Sequence, residues 1–486
     1  MTTVSEKAKK EKVNLFKFNE RLHLSYRKNE YLCRSILNYM RPLNFNVPKI
    51  ARIFVVGMLL MSAMTTSGQT IAEELKADPN RAAGNFYALP IGKMPKDTPA
   101  PKGKKPFYIN HYGSPGSYYR ESNSLYEEPY AVFAKADSLG KLTKLGQEVK
   151  QRLDLLRRDA KDRTGELTTK GVEQCRELIR QMVKRFPDIL TPNGYYSCRS
   201  IVQNNCLMTL EESLVELSSM MQPMKTNVMA THRENRFMAP QDKVLEAMRW
   251  DSLTLARYDR FLALNTGNAR LMESLFTDQN FLINQVDPES LSRQLFVLAG
   301  SIQHTELAGK VTLFDLFTPT EILSHWKKLN AKYYITNGAC TLNGGTQPFA
   351  QRAILRNMIH MGDSVQKREY PMVHMRYVNE NMVMALACLM ELDNCGLQTD
   401  NLDALGDMGW ITYRIAPIAG SIMIVHYRSE VGDPDVLVKV LLNGEEARLP
   451  IESDCAPYYH WEDVKRYYLR KLYRYENIRL NKEVKK

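Results

Sequence analysis

Residues 107–122 read FYINHYGSPGSYYRES. Phe107–His111 is aromatic and β-branched, the composition of a short strand. Gly113, Ser114, Gly116 and Ser117 then break it into a tight loop. A strand that runs into a Gly-rich loop is where α/β folds place ligand chemistry, because backbone groups at the strand's C-terminal end face a crevice.

Two helices with matching starts follow. LTKLGQEVKQRLDLL begins at Leu142 and puts Leu145, Val149, Leu153 and Leu156 on one stripe. LTTKGVEQCRELI begins at Leu167 and aligns Val172, Cys175, Ile179, Met182 and Phe186. Thr143 and Thr168 are placed to cap the first free N–H groups of each helix. The shared L-T-x-x-G is a helix-entry device, and two copies fall short of a repeat array. Upstream, LPIGKMPKDTPAPKGKKP (89–106) is a Pro- and Lys-rich lead-in.

Residues 205–330 show helical periodicity and many Met residues, which read as core filling rather than a cofactor box. TQPFAQRAILRNMIHMG (346–362) reads as an amphipathic helix, and 374–390 as a short strand followed by the apolar helix ENMVMALACLM. SIMIVHY (421–427) and VLVKVLL (436–442) are strands. Asn443-Gly444 turns the second back toward 447–449. The tail from Trp461 is helical, basic and rich in Tyr. His374 and His426 fall on strands, where a satisfied structural role is the default. This layout predicts an α/β domain in two parts (106–204 and 346–470). Between them lies an all-α insertion (205–345), with a linker (69–105) before and a basic tail (471–486) after.

The chain has 486 residues, 44% hydrophobic and 25% charged, which excludes a disordered chain, a collagen and a multi-span membrane protein. Its net charge of +12 suggests an anionic partner. The excess is concentrated in residues 1–68, with 12 Lys or Arg against four Glu, and the remainder is nearly balanced. Nucleic-acid binding is therefore not expected.

IFVVGMLLMSAM (53–64) is an apolar run that follows Lys49 and Arg52 and precedes TTSGQ. That is a signal-peptide pattern, too short to span a bilayer comfortably. Met40 begins a signal of ordinary length, so residues 1–39 are expected to be a non-native or cytoplasmic extension and 40–68 the signal. The mature chain is then exported, periplasmic or secreted, with no membrane span. Of the eight cysteines, Cys33 precedes the cleavage point. The others form no C-x-x-C, and no Cys/His set has zinc spacing. No metal or cofactor is expected. Cys175 and Cys388 lie on apolar helical faces and read as buried thiols. The oligomeric state is not legible.

An ordered series of stretches then resembles a known family. HYGSPGSYY (111–119), KLTKLGQEVKQRLDLLRRDAKDRTGELTTKGVEQ (141–174), SCRSIV (197–202), GGTQPFAQRAILRNMI (344–359), MRYVNENMVMALACLME (375–391), TYRIAPIAGSIMIVHYRS (412–429) and VLVKVLLNGEEARLPI (436–451) resemble histidine acid phosphatases. The nearest branch is that of the multiple inositol polyphosphate phosphatases, which are phytase-like. With the strand and helix layout, the resemblance implies a histidine-phosphatase-like α/β sandwich around a mixed, mostly parallel sheet with an all-α insertion, and it implies phosphomonoester hydrolysis through a phosphohistidine. A His in R-H-G-x-R attacks phosphorus, and three arginines hold the phosphate oxygens bidentately. An acid in a late H-D or H-A-E motif protonates the leaving alcohol.

Carried over residue by residue, the catalytic set is degenerate. R-H-G-S-R falls on Ser114, Pro115, Gly116, Ser117 and Tyr118, so the nucleophile position is a proline and both arginines of that motif are replaced. The third arginine matches Arg199. The late motif falls on Asn379, Glu380 and Asn381, so its His is lost and Glu380 occupies the acid position of H-D. Losing an essential nucleophile removes on the order of 10⁶-fold in kcat in a protease triad.

The resemblance and its gaps predict a protein whose phosphohistidine route is closed and which still binds a phosphorylated small molecule. Arg199, Ser114, Ser117 and Arg120 are the candidate anion ligands. Arg199 alternatively pairs with a carboxylate such as Glu380, and Arg120 alternatively is a solvated loop residue. A second reading keeps a phosphomonoesterase, with His111 as displaced nucleophile and Glu380 as acid; against it, His111 is a structural strand residue. A third makes the chain a structural or interaction protein whose cleft is filled by Tyr112, Tyr118 or Tyr119.

Overall fold

The computed structural model describes residues 70–484, apart from 93 and 266. The extension and signal expected over 1–68 lie outside the described residues. Gln69–Lys486 is one compact unit.

Eight strands form one mixed sheet: β1 (Lys105–Gly113), β2 (Tyr195–Ser200), β3 (Lys225–Met229), β4 (Met372–Tyr377), β5 (Ser421–Arg428), β6 (Leu437–Leu442), β7 (Glu445–Ala447) and β8 (Tyr459–His460). The order is β3-β2-β4-β1-β5-β6-β7, with β8 on β6. β3, β2, β4 and β1 run parallel, and β5 to β8 add antiparallel. Helices cover both faces, so β1 is buried continuously from Phe107 to Gly113 instead of alternating. One face packs on α4 (Arg352–Val365), where Asn110 Nδ2 donates to Met358 O at 3.2 Å. The other packs on α2 (Thr169–Arg185) and α3 (Asn204–Met220), where Tyr377 Oη donates to Ser213 Oγ at 2.7 Å.

Asn443 and Gly444 both have positive φ (54° and 87°), as the two-residue β6–β7 turn requires. The insertion is helical except for β3, a strand where helices alone were expected. Thr226 and Val228 are β-branched, and the run pairs in register with the otherwise open edge of β2. The C-terminal α6 (Trp461–Val484) runs unbroken into the segment expected as a separate tail, to Val484. All seven cysteines of the described chain are free thiols, and all but Cys455 are buried. No described helix is long and apolar enough to cross a membrane.

The two L-T-x-x-G segments do more than start helices. Thr143 caps α1 (Lys144–Asp159) by accepting from Gly146 N at 3.0 Å, and Thr168 caps α2 by accepting from Gly171 N at 3.1 Å. Each Thr N–H also donates to a passing carbonyl: Thr143 to Leu275 O at 3.0 Å and Thr168 to Ser117 O at 2.9 Å. The glycine of each motif clears space for that same carbonyl. A Cβ on Gly146 would lie 2.2 Å from Leu275 O, and one on Gly171 would lie 2.0 Å from Ser117 O. The second copy therefore ties the loop after β1 to the start of α2.

Candidate functional site

The C-terminal ends of β1, β2 and β4 converge, so the loop 114–120, the segment 201–203 and the start of α5 (Glu380–Met390) lie together. The loop is held by its own neighbours. Ala419 N donates to Pro115 O at 2.7 Å, Gly116 N to Thr209 Oγ1 at 3.2 Å, and Ser117 N to Gln174 Oε1 at 2.9 Å.

The candidate anion ligands are engaged in the same way. Ser114 Oγ is buried and reaches Pro417 O at 2.9 Å and Gly420 O at 3.1 Å. Ser117 Oγ is fully buried against His304 Nδ1 at 2.8 Å, and His304 Nε2 faces Phe86 O at 2.8 Å. Arg120 donates from Nε to Ser301 Oγ at 3.0 Å, and its Cζ sits over Phe86, 3.2 Å from the ring centroid. It is therefore an anchored loop residue, not a solvated one. Arg199 pairs with Glu234, not with Glu380.

His111 lies in β1 with its Nδ1 buried and unpartnered among the described residues, and burial pulls its pKa down to about 4. It faces a cavity of about 540 Å³ beside α2, together with Ser114 and Gly116. Beside Arg199 in the register is Arg376, a buried guanidinium bonded to Asn110 and Asn357 side chains. The histidine near these two arginines, His374, accepts or donates to Tyr108 Oη at 2.6 Å and is held neutral by burial. His426 departs from the satisfied role expected of it: neither ring nitrogen has a partner among the described residues.

Glu380 is 5% exposed, and its Oε1 has no partner among the described residues. Burial raises its carboxyl from 4.5 to about 7, against the pull of Tyr118 and Arg120. Above the ordinary value the unfolded chain ionises this group while the folded chain holds its proton, so folding is penalised increasingly from pH 4.5 to about 7. Glu380→Gln is accordingly expected to stabilise the protein on the order of 3 kcal/mol at pH 8, and by less, about 2 kcal/mol, at pH 6. Urea denaturation of both proteins at the two pH values checks this.

A separate open cleft of about 1230 Å³ lies where 201–203 and the start of α5 meet the helical insertion. Gln203, Asn379 and Asn381 form one wall. Arg233, Arg236, Lys243, Arg249 and Lys332 supply five cationic side chains, with Glu246 as the single carboxylate of the lining. Among the described residues none of the five is ion-paired. Tyr118 is buried edge-on against Phe86 (5.1 Å between centroids) and does not line this cleft. Neither do Ser114, Ser117, Arg120 or Arg199. Sequence reasoning missed the basic set, which comes from three separated helices. Its one local signal is HRENR at 232–236, which reads as ordinary helix surface until the chain folds.

No protein-family model and no curated sequence matches the chain. Solved structures do. It is similar to the Bifidobacterium longum multiple inositol polyphosphate phosphatase in complex with inositol hexasulfate, at 13% identity and a TM-score of 0.64, covering 79% of this chain and 97% of that one. It is similar to the phytase from D. castellii at 14% identity and a TM-score of 0.60, covering 81% and 85%. These superpositions show the fold: the chain has the α/β fold of the histidine acid phosphatase type seen in the inositol polyphosphate phosphatase and phytase structures.

Proposed function

We propose that this chain is an exported binding protein for a phosphorylated small molecule, built on a phosphatase fold whose phosphohistidine route is closed. The observation that carries the reading is the unpaired basic lining of the 1230 Å³ cleft beside Asn379 and Asn381. Five cations against one carboxylate favour a ligand with several negative charges, and Arg presents a planar fork to phosphate oxygens. Pro115 offers no nucleophile, because its ring nitrogen is the backbone amide nitrogen, and Ser114 and Ser117 spend their hydroxyls on the protein itself. A substrate phosphate at the loop would find neither nucleophile nor clamp. The B. longum structure holds an inositol hexasulfate, which makes phytate the first ligand to try.

Phosphorus NMR of phytate with the purified chain, between about pH 7 and 8, tests the proposal. The expected result is no phosphate release, together with phytate signals that shift or broaden. Arg236→Glu with Lys332→Glu is expected to remove that perturbation, and raised salt to weaken it. Turnover that is abolished by His111→Ala and retained in Pro115→Ala would instead establish a phosphomonoesterase with a relocated nucleophile. No turnover and no perturbation would leave an interaction scaffold.

A further inference from the structure

The far end of the sheet carries a second cluster. His460 pairs with Leu437, Tyr427 with Leu437, and Tyr427 with Pro106 at the start of β1. The candidate site lies beyond Gly113, about 23 Å along the strand.

At this end His460 meets a carboxylate on each ring nitrogen. Nδ1 is 2.6 Å from Asp435 Oδ1, and Nε2 is 3.1 Å from Asp454 Oδ1. A neutral imidazole has one N–H, so one of the two contacts needs either a second proton or a metal ion. A proton satisfies the two carboxylates and leaves the thiol beside them to its weak bond to Tyr458 O at 3.4 Å, whereas a metal ion would engage all three groups. The Cys455 sulfur, an Asp454 oxygen and a His460 nitrogen all lie within 4.8 Å of one another. An ion at zinc-like distances in tetrahedral geometry places its N and O ligands roughly 3.3 Å apart, close to the contact observed.

The supporting shell is also in place. Asp435 on Nδ1 is the carboxylate that typically orients a metal-bound imidazole. Lys104 Nζ holds Asp435 at 3.2 Å and Asp433 at 2.9 Å, and Asp433 accepts from Ser429 N at 2.6 Å and Ser429 Oγ at 2.7 Å. Asp454 is 80% exposed and Cys455 is the one thiol of the described chain that is not buried, so an ion has open access.

We propose that His460 Nε2, the Asp454 carboxylate and the Cys455 thiolate form a binding site for a zinc-class divalent cation, with solvent in the fourth position and Asp435 as a positioning residue. Mixed N, O and S donors suit Zn²⁺ and Co²⁺ over Mg²⁺ or Ca²⁺. Binding is redox-neutral: the thiol proton, and any proton on Nε2, leave to solvent as the metal bonds form. The site tethers the 453–460 turn to the start of α6.

The test is titration of the full chain, stripped with chelator and free of any polyhistidine tag, with Co²⁺ and then Zn²⁺. One Co²⁺ per chain is expected, with a thiolate-to-cobalt charge-transfer band that Zn²⁺ bleaches. Cys455→Ser is expected to abolish the band while circular dichroism shows the fold intact. Asp435→Asn is expected to keep the band and weaken affinity by roughly 10- to 100-fold. Absence of the band at saturating Co²⁺, or its survival in Cys455→Ser, would overturn the assignment. Phosphate ligands play no part in this measurement, so its result is independent of the cleft.

Discussion

Lowering the pH from about 7.5 to about 5 is expected to unfold this protein. Five histidines are buried and held neutral: burial pulls His111 and His325 down to about 4, and His304, His374 and His426 to about 3. In the unfolded chain each titrates near 6.5, so the unfolded state binds more protons wherever the pH is below that value. The stability these groups contribute is complete above 6.5 and is lost as the pH falls toward the folded values. At pH 5 each costs about 2 kcal/mol, and five together cost roughly 10, which is comparable to the whole stability of an ordinary domain. Glu380 works in the opposite direction but recovers only a part. Thermal melts across this range, with proton uptake from calorimetry in buffers of different ionisation enthalpy, check the prediction; uptake of roughly four to five protons on unfolding near pH 5 is expected from these groups. His426→Phe should lower that count by about one, since the ring already sits among Phe107, Tyr108 and Trp461. A melting temperature unchanged between pH 7.5 and 5 would show that these imidazoles reach water in the folded state. The phytate measurement belongs above this transition, where loss of binding cannot be loss of fold.

Gly171→Ala is expected to be among the most damaging single-methyl additions available. In a free helix, alanine would be favoured over glycine by about 1 kcal/mol. Here the added Cβ meets a backbone carbonyl, Ser117 O, at 2.0 Å. That oxygen is fixed from both sides, because Thr168 N donates to it and the next residues are bonded onward through Glu166 O to Tyr119 N. Neither segment can yield without breaking the Thr168 cap and the 114–120 loop together. A loss of about 3 kcal/mol or more is expected, the upper range for overpacking. Gly146→Ala, at 2.2 Å from Leu275 O, should behave alike, and Gly92→Ala, with nothing near its added carbon, should be neutral. Denaturant midpoints of the three variants decide this. Equal stability of Gly171→Ala and Gly92→Ala would show that the loop is not anchored through this contact.

These two results bear on the same point about the site. The loop 114–120 is a rigid, internally bonded structural element, and the open basic surface lies next to it.

Much of the architecture was legible along the chain, because it is set by contacts only a few residues apart. The aromatic and β-branched run 107–111, the two Thr caps, the Asn443-Gly444 turn and the apolar face of α4 each express a local period or a local hydrogen bond. The ordered motifs pointed to the fold, and the replacement of R-H-G-S-R by Ser114–Tyr118 was visible residue by residue. The partners were not legible, because partner choice depends on which distant side chains arrive within about 3 Å. Arg199 met Glu234 from the insertion rather than Glu380, and Arg120 met Phe86 and Ser301. β3 formed because an open edge was available to it. The basic cleft and the Asp454, Cys455 and His460 cluster belong to the same class. Cys455 and His460 have no recognised zinc spacing, and only the turn between them, with Asp435 brought in from the loop before β6, sets their donor atoms side by side. Sequence by itself determined the elements and their order; the tertiary structure decided which charges found partners and which were left facing a cleft.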